Sequence, residues 1–203
     1  MIEFNPKIES AISLKIRDRW KDNQHKIIWR GILPNSVKFR PYVPKLESGL
    51  YTITIAGIPA YIGETDVNLH QRTARWIKVL HRVEHETETH SLGNDLLRAS
   101  ETYQIDPQWF VNNARFSYLS MDELRSYWED RYMVRSTLFG QELYTINDFT
   151  NKEILTYIES LLIKELGPVS NRNFNEYSPN KAKNINEFQN LIEKLDCRKV
   201  VNE

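Results

Sequence analysis

The sequence predicts an α+β fold, in which a small three-stranded antiparallel sheet is flanked by helices. Three observations predict this class. A hairpin-like pattern of β-branched and aromatic residues occupies residues 49–63, a third strand-like segment occupies 114–121, and segments with helical periodicity lie between and after them. Strands and helices in this irregular order are typical of helices packed on one small sheet around a single core.

The N-terminal 48 residues are predicted to form a helical arm. Residues 8–21 place apolar side chains at every fourth position, which is helical spacing. The stretch 31–49 contains Gly31, Pro34, Pro41 and Pro44 and is therefore predicted to be an extended linker or loop. The segment GLYTITI (49–55) then begins the sheet, and Gly57 and Pro59 separate it from PAYIG (59–63), which indicates a β-hairpin.

Helices and a third strand follow the hairpin. Residues 67–84 and the segment from Ser91 to about Thr102 have helical patterns, and ARFSYLSM (114–121) is predicted to be a strand. An insert at about 122–150 begins with a helix-like stretch (122–132), and its second part (134–146) is a hairpin or a loop.

The C-terminal third is predicted to be helical. The stretch 151–166 is strongly amphipathic, and Gly167-Pro168 ends it. A coil at 168–184 leads to a final amphipathic helix at 185–195. We therefore divide the chain into an arm (1–48), a central domain (49–175) and a C-terminal coil and helix (176–203). The apolar side chains of the last helix form a candidate dimer surface, unless they pack on the protein's own core: Ile185, Phe188, Leu191, Ile192 and Leu195.

Composition indicates an ordinary globular protein. Of the 203 residues, 40% are hydrophobic and 27% are charged, which argues against disorder. The single cysteine, Cys197, excludes a disulfide framework and a paired-cysteine metal site, and it fits a reducing cytoplasm. No apolar run approaches about 20 residues, so no membrane span is expected. The N-terminus also shows no signal-peptide pattern.

Charge is balanced overall but unevenly distributed. The formal net charge is zero, which counts against a nucleic-acid-binding protein. Residues 1–50 nevertheless hold ten basic and five acidic side chains, whereas residues 86–170 hold seven basic and fourteen acidic ones. The pattern fits a basic arm that contacts DNA, and it equally fits an uneven, solvated surface.

Two tyrosines of the predicted hairpin are candidate functional residues. Tyr51 and Tyr61 lie on adjacent strands, each near a glycine. Tyrosine is common in strands, so packing alone would explain such a pair. Downstream, Arg72 lies near the start of a predicted helix, and Glu159 lies within an apolar stripe of another. A carboxylate in such a stripe is less easily explained as part of a solvated face.

Five segments together resemble the GIY-YIG nuclease family. They are GLY (49–51), YIG (61–63), NLHQR (68–72), THSLGNDLLRAS (89–100) and ESLLIKELGPVSN (159–171). Leucine replaces the isoleucine of the first tripeptide, and Trp76 occupies the position where many members have histidine. His70, Lys78, His81 or water would then have to take over that histidine's role. The resemblance covers residues 49–171, about 60% of the chain.

The resemblance implies a GIY-YIG fold and a set of catalytic residues. Arg72 would bind phosphate, and Glu159 would hold one Mg²⁺ or Mn²⁺ per active site. Tyr51 or Tyr61 would orient or deprotonate the attacking water, which for a phenol requires a strongly lowered pKa. Asn171 would orient a neighbouring group or contact the backbone. His90 completes the set, with helix capping as its alternative role. Arg75 is the alternative to Arg72, and Asn173 and Asn175 are the alternatives to Asn171.

Double-stranded DNA is the partner that the resemblance implies. We expect a cytoplasmic type II restriction endonuclease that gives 5′-phosphate and 3′-hydroxyl ends, and that acts as a homodimer or homotetramer. A nicking, homing or DNA-degrading nuclease of a phage or mobile element is the alternative enzyme, and a non-catalytic DNA-binding module is the alternative of another class. Basic residues that would contact DNA are Lys15, Arg17, Arg19, Lys21, Arg75, Lys78, Arg131 and Arg135. A His-x-x-Glu-His zinc pattern also occurs at 81–85, in charged surroundings that favour an exposed helix end.

Overall fold

A five-stranded antiparallel sheet lies at the centre of the protein. The computed structural model describes residues 2–3, 6–29, 37–40, 47–81, 90–127, 133–137, 140–172 and 178–200. The described strands are β1 (Ile2–Glu3), β2 (His25–Trp29), β3 (Val37–Arg40), β4 (Gly49–Ile55), β5 (Ile58–Thr65), β6 (Ala114–Ser120), β7 (Met133–Thr137) and β8 (Gly140–Tyr144). The central sheet has the order β3-β2-β6-β4-β5, and β1, β7 and β8 form a second, three-stranded sheet.

Besides a short 3-10 helix at Ile146–Asp148, seven α-helices complete the described elements. They are α1 (Pro6–Asp22), α2 (Leu69–Leu80), α3 (Ser91–Tyr103), α4 (Pro107–Asn113), α5 (Met121–Ser126), α6 (Asn151–Leu166) and α7 (Pro179–Val200). The predicted α+β class is confirmed, and so is the predicted position of α6. The last helix is longer than the predicted 185–195. None of the helices in the described ranges is long and apolar enough to cross a membrane.

The predicted number of three strands is wrong for the central sheet. The three predicted strands are present as β4, β5 and β6, with β4 in the middle. Two further strands, β2 and β3, extend the sheet from β6 and come from the segment that was predicted to be arm and linker. The short strand β2 was missed because its period-two pattern, with His25 and Ile27 buried and Lys26 exposed, is only five residues long.

A tight turn joins β4 to β5. Ile55 pairs with Ile58, so only Ala56 and Gly57 lie in the loop. Both have positive φ values, 49° and 86°, as a two-residue hairpin turn requires. The register shifts between Ile53 and Thr54, which indicates a bulge at the turn end of the hairpin. The remaining register places Tyr51 opposite Gly63 and Ile53 opposite Tyr61. Because directly opposed residues point to the same face, both tyrosines lie on one face of the sheet.

Helices cover both faces of the sheet and give two clusters of buried residues. On the face of the tyrosines, α2, α3, α4 and α7 contribute apolar side chains such as Trp76, Leu96 and Phe110. On the opposite face, α1, α5 and α6 pack against Leu50 and Ile62. The sheet is therefore the middle of three layers.

The N-terminal segment is part of these layers. Ile12, Ile16 and Trp20 of α1 are at most 4% exposed and lie in the same cluster as Ile62 and residues of α6. Helix α1 and strand β2 thus contribute buried side chains to the same clusters as the central domain, and β3 extends its sheet.

The C-terminal helix also packs on the protein's own core. Phe188 and Ile192 are less than 9% exposed, and Leu191 and Leu195 pack against the same cluster. Four of the five residues of the candidate dimer surface therefore pack against the core of their own chain. This side of α7 is apolar because it covers α3 and the sheet edge, which is a sufficient physical reason for its pattern.

The second part of the insert forms a hairpin, which was one of the two structures predicted for it. Strands β7 and β8 pair antiparallel, with Thr137 opposite Gly140, and β1 adds to β7. The helix-like stretch at 122–132 is helical from its first residue to Ser126, and residues 128–132 lie outside the described ranges.

Candidate active site

The predicted catalytic residues meet at β5, the strand at one end of the central sheet. Tyr51 and Tyr61 lie on one face, with their ring centroids 6.1 Å apart and their planes 29° from parallel. Helix α6 belongs to the opposite layer but contacts β5 more than it contacts any other strand. It brings Glu159 within electrostatic range of both phenols. The site therefore spans the two layers at the sheet edge.

Gly63 provides the space that the two phenols occupy. A Cβ atom built on Gly63 would lie 2.6 Å from the Tyr51 hydroxyl oxygen and 2.8 Å from a ring carbon of Tyr61. Atoms of real side chains do not approach so closely, so any larger residue would displace both rings. The glycine of the second tripeptide is thus explained by the packing of the tyrosines rather than by its backbone angles.

Helix α2 carries Arg72, and side-chain caps fix where this helix begins. The Thr65 hydroxyl, at the end of β5, accepts hydrogen bonds from the amides of Val67 and Asn68, at 3.2 and 3.1 Å. The Asn68 side chain then accepts a hydrogen bond from the amide of Gln71, at 2.8 Å. Such an N-cap satisfies a donor that the first helical turn leaves unpaired. Arg72 is held one turn beyond the cap, close enough to lower the pKa of both phenols.

Helix α6 carries Glu159 and has a defined start and end. Thr150 and Glu153 form a capping box at its N-terminus, and Gly167 ends it with a φ of 58°. Between these ends, the apolar residues Ile158, Leu162 and Ile163 are buried against the sheet. The helix therefore has little freedom to rotate, and Glu159 is held at the β5 edge.

Burial raises the pKa of both tyrosines. For Tyr51, which is 2% exposed, burial raises the pKa well above 10, and Tyr61 and Glu159 add to this effect. For Tyr61, burial and the charge of Glu159 raise the pKa to about 12. Arg72 lowers both values but does not outweigh burial. The protein groups alone therefore do not give the strongly lowered pKa that a phenol base requires, and both phenols are neutral at pH 7.

Glu159 is a partly buried acid with an unusual pKa. Burial is the main cause that raises its pKa to about 7, and the charge of Glu64 is the second. Lys152 and Arg72 lower the value without cancelling these effects. A carboxyl group that titrates near neutral pH among other charged groups is typical of functional sites.

His90 lies beside Tyr61, at the start of α3. The two ring centroids are 4.4 Å apart, and His90 is the N-cap residue of α3 without a side-chain capping bond. Burial, together with Arg75 and Arg72, lowers its pKa to about 4, so the imidazole is neutral at pH 7. Both ring nitrogens are buried and have no hydrogen-bond partner among the described residues.

Asn171 holds the segment after α6 against β5. Its side-chain oxygen accepts a hydrogen bond from the Ile62 amide at 2.9 Å, and its side-chain nitrogen donates to the Ile62 carbonyl at 2.7 Å. The amides of Val169 and Ser170 also donate to carbonyls of β5, at 3.1 and 2.9 Å. Asn171 therefore contacts the backbone between Tyr61 and Gly63, which is one of the two roles expected for it, and acts as a positioning residue.

Two residues of this site were missed in the sequence. Glu64 follows Gly63 directly, and its carboxylate forms an ion pair with Lys152 in the first turn of α6. Lys152 lies seven residues before Glu159, which places both on one side of the helix. That spacing and the position of Glu64 next to the second tripeptide were the available signals. Neither residue belongs to the motifs on which the prediction relied.

The basic residues of α1 that were predicted to contact DNA interact with other side chains of the protein. Arg17 pairs with Glu165 at 3.0 Å, Arg19 pairs with Glu123 at 2.5 Å and Lys21 pairs with Asp18 at 3.2 Å. Lys15 lies over the ring of Tyr127, with 5.6 Å from its nitrogen to the ring centroid. Exposed pairs of this kind are weak, so phosphate contacts by these residues stay a prediction.

The structure describes only some of the other residues that were predicted to contact DNA. Arg75 and Lys78 lie on α2, the helix of Arg72, and both are partly exposed. Arg135 lies on β7, where the structure describes the backbone alone, and Arg131 lies outside the described residues. Asn173, Asn175 and most of the zinc-like segment at 81–85 also lie outside them.

The chemistry of the site fits a hard divalent cation. Glu159 and Glu64 supply carboxylate oxygens, which Mg²⁺ and Mn²⁺ prefer, and one oxygen of Glu64 is buried without a hydrogen-bond partner. Across the described residues, no group of three or more histidine, cysteine, aspartate or glutamate side chains forms a metal cluster. A cation here would therefore be bound by few protein ligands and complete its coordination with water and substrate oxygens.

Comparisons with known proteins give no relatives: no family model matches the chain, and neither a curated protein nor a solved structure matches it significantly.

Proposed function

We propose that the protein is a metal-dependent DNA endonuclease of the GIY-YIG class. One observation carries the proposal: Arg72 and Glu159 act electrostatically on the same two phenols, Tyr51 and Tyr61, although these residues come from three separate parts of the chain. An arginine that can bind phosphate, a carboxylate that can hold a divalent cation and hydroxyls that can orient water together suit phosphodiester hydrolysis.

Each residue has a role that follows from its chemistry. Arg72 would present its fixed fork of donors to the phosphate oxygens. Glu159 would hold one Mg²⁺ or Mn²⁺, which supplies Lewis acidity toward a phosphate oxygen when bound. The neutral phenols of Tyr51 and Tyr61 would orient water by hydrogen bonds. A phenol would remove the proton of this water only if positive charge beyond that of Arg72 lowers its pKa.

The proposed reaction is the hydrolysis of one phosphodiester bond. Water adds to phosphorus, and the bond from phosphorus to the 3′ oxygen breaks. That oxygen leaves with the bonding electrons and takes up a proton, so the products are a 5′-phosphate and a 3′-hydroxyl. Because one such site cuts one strand, cleavage of both strands at a symmetric sequence would require two copies of the chain.

Within this class we favour a type II restriction endonuclease. The insert and the N-terminal segment are built into or onto one catalytic core, and no separate DNA-binding module is evident in the described residues. A degradative or nicking nuclease would use the same site with looser specificity. A non-catalytic DNA-binding module is disfavoured because the tyrosines, the arginine and the glutamate all retain the positions that catalysis would use.

The test is cleavage of unmethylated plasmid and phage DNA with Mg²⁺. Glu159→Gln keeps the size of the side chain and removes its charge, so we expect at least a hundredfold loss of cleavage. Glu193→Gln makes the same chemical change on the exposed side of α7 and should cleave like the parent. Arg72→Lys should also be strongly impaired, because lysine cannot reproduce the two-pronged contact to phosphate.

The products separate the alternatives. Discrete fragments that depend on Glu159 indicate a site-specific enzyme, and sequencing of their ends gives the site. A smear or nicks that depend on Glu159 indicate a degradative or nicking enzyme. Equal cleavage by the parent and Glu159→Gln would refute the role of Glu159. DNA binding without cleavage would favour the non-catalytic module.

A further inference from the structure

Glu64 is a buried carboxylate that the proposed function does not use. It lies on β5 opposite Leu50, and only 11% of its side chain is exposed. One oxygen, Oε1, forms the ion pair with Lys152. The other, Oε2, is fully buried and has no hydrogen-bond partner among the described residues. Buried polar atoms nearly always have a partner, so an unsatisfied carboxylate oxygen requires an explanation.

The surroundings of Glu64 place a second negative charge nearby. Glu64 pairs with Lys152 in the first turn of α6, and Glu159 lies two turns further along the same side of that helix. Two acids in a partly buried setting repel each other strongly. Lys152 balances only part of this charge, because it contacts Oε1 and is itself 57% exposed. Oε2 is therefore left outside this ion pair.

We propose that Glu64 is a second carboxylate ligand of the divalent cation, binding it through Oε2 while Lys152 holds Oε1. The proposal rests on the proposed function and adds a residue that the family motifs do not contain. It explains both the missing partner of Oε2 and the proximity of two glutamates, because a divalent cation is attracted to both. Mg²⁺ is commonly bound by one or two carboxylates, with water and phosphate oxygens in its other positions.

The competing explanation is that Glu64 serves only to anchor Lys152 and α6 to the sheet edge. In that case, removing either partner of the ion pair would have the same effect, and cation binding would depend on Glu159 alone. The two explanations therefore differ in whether Glu64→Gln and Lys152→Met have the same effect on cation binding. If Glu64 is a ligand, removing Lys152 takes away a competing positive charge and should strengthen cation binding.

The experiment is a titration of the full-length protein with Mn²⁺ in the absence of DNA, followed by electron paramagnetic resonance. We expect Glu64→Gln and Glu159→Gln each to raise the Kd for Mn²⁺ by roughly tenfold or more, since each removes a charged ligand. Lys152→Met removes a positive charge close to both carboxylates and should lower the Kd. Glu193→Gln, on the exposed side of α7, should match the parent. Circular dichroism of each variant confirms folding.

The outcomes are separable from those for the proposed function. Unchanged Mn²⁺ binding by Glu64→Gln, or no Mn²⁺ binding by the parent, would overturn the role of Glu64. If Glu64→Gln does not fold, Lys152→Met decides the question, because weaker Mn²⁺ binding by this variant would also overturn it. Mn²⁺ binding that needs both glutamates, in a protein that cleaves no DNA, would support the two-carboxylate site and reject the nuclease.

Discussion

At the scale of single residues, the site is governed by the balance between burial and charge. Burial raises the pKa of Tyr51, Tyr61 and Glu159, and it lowers that of His90. In each case the neutral form is favoured, because the charged form loses its hydration. Arg72 acts against burial at the three acidic groups but does not outweigh it. A bound cation would, like Arg72, lower the pKa of the acidic groups.

The pKa of Glu159 predicts a pH-dependent stability. Its ordinary value is 4.5 and its folded value is about 7, so between these pH values the folded state binds a proton that the unfolded state has lost. The contribution of Glu159 to the free energy of unfolding is therefore full below about pH 4.5 and falls as pH rises toward 7. The expected loss is on the order of 1–3 kcal/mol. Glu159→Gln removes it, so without metal this variant should be more stable than the parent at pH 8 but not at pH 4.5.

Urea unfolding of the metal-free parent and variant at both pH values measures this difference. Other titrating groups are common to both proteins and cancel when the two are compared. Glu193→Gln is the exposed control and should give no pH-dependent difference. A difference between Glu159→Gln and the parent that is equal at pH 4.5 and pH 8 would show that the pKa of Glu159 is not raised.

At the scale of elements, the site depends on how three segments are fixed to β5. The Thr65 and Asn68 caps fix α2, the capping box of Thr150 fixes the start of α6, and Asn171 fixes the segment that follows it. These contacts lie in or next to the elements that carry the candidate residues, and none of them involves a phenol. These contacts therefore determine the geometry of the site, and their loss would affect stability and activity together.

Asn171→Ala should destabilise the protein measurably. The alanine would leave the amide and the carbonyl of Ile62 unpaired and buried, and each such group costs about 1–3 kcal/mol. Asn180→Ala is the matched control, because Asn180 donates to the Glu165 carbonyl from an exposed position and should cost less than about 1 kcal/mol. Chemical denaturation of both variants measures the costs. Equal stability of the two variants would contradict the positioning role of Asn171.

The elements that were predicted correctly are those with strong local signals. Helix α6 has a capping box, an apolar stripe and a terminating glycine, and the β4–β5 hairpin has a turn glycine between two β-rich runs. The short strand β2 was missed because pairing with distant residues, such as His25 with Phe116, stabilises it, and β3 in turn pairs with β2. Glu64 and Lys152 were missed for a related reason, since their ion pair joins residues 88 positions apart.

At the scale of the whole molecule, the N-terminal helix is a structural layer. Apolar residues of α1 share one buried cluster with residues of α6, the helix that carries Glu159. Ser13 and Arg17 also contact Glu165 on that helix. The helical period of residues 8–21 was visible in the sequence, but periodicity does not reveal what a helix packs against. The structure therefore gives α1 a role in supporting α6.

Ile16→Ala tests this role of α1. Ile16 is fully buried, so the substitution leaves a cavity and should lower the free energy of unfolding by about 2–5 kcal/mol. Leu14→Ala, two residues earlier, changes a side chain that is 49% exposed and should alter it by less than about 0.5 kcal/mol. Thermal or urea unfolding distinguishes the two. Wild-type stability of Ile16→Ala would mean that α1 is a detachable arm.

The hydrogen bonds along β5 also limit how two copies of the protein can associate. An uncovered strand at the end of a sheet can add a strand from another molecule and start aggregation. Here backbone groups of Pro59, Ala60 and Ile62 already form hydrogen bonds with residues 169–171. At these positions they are therefore not available to pair with a strand of another molecule. Continuation of the central sheet from one copy into another would then use its opposite end, strand β3. A dimer that joined its central sheets in this way would leave the edge that carries Tyr61 uncovered by the second copy.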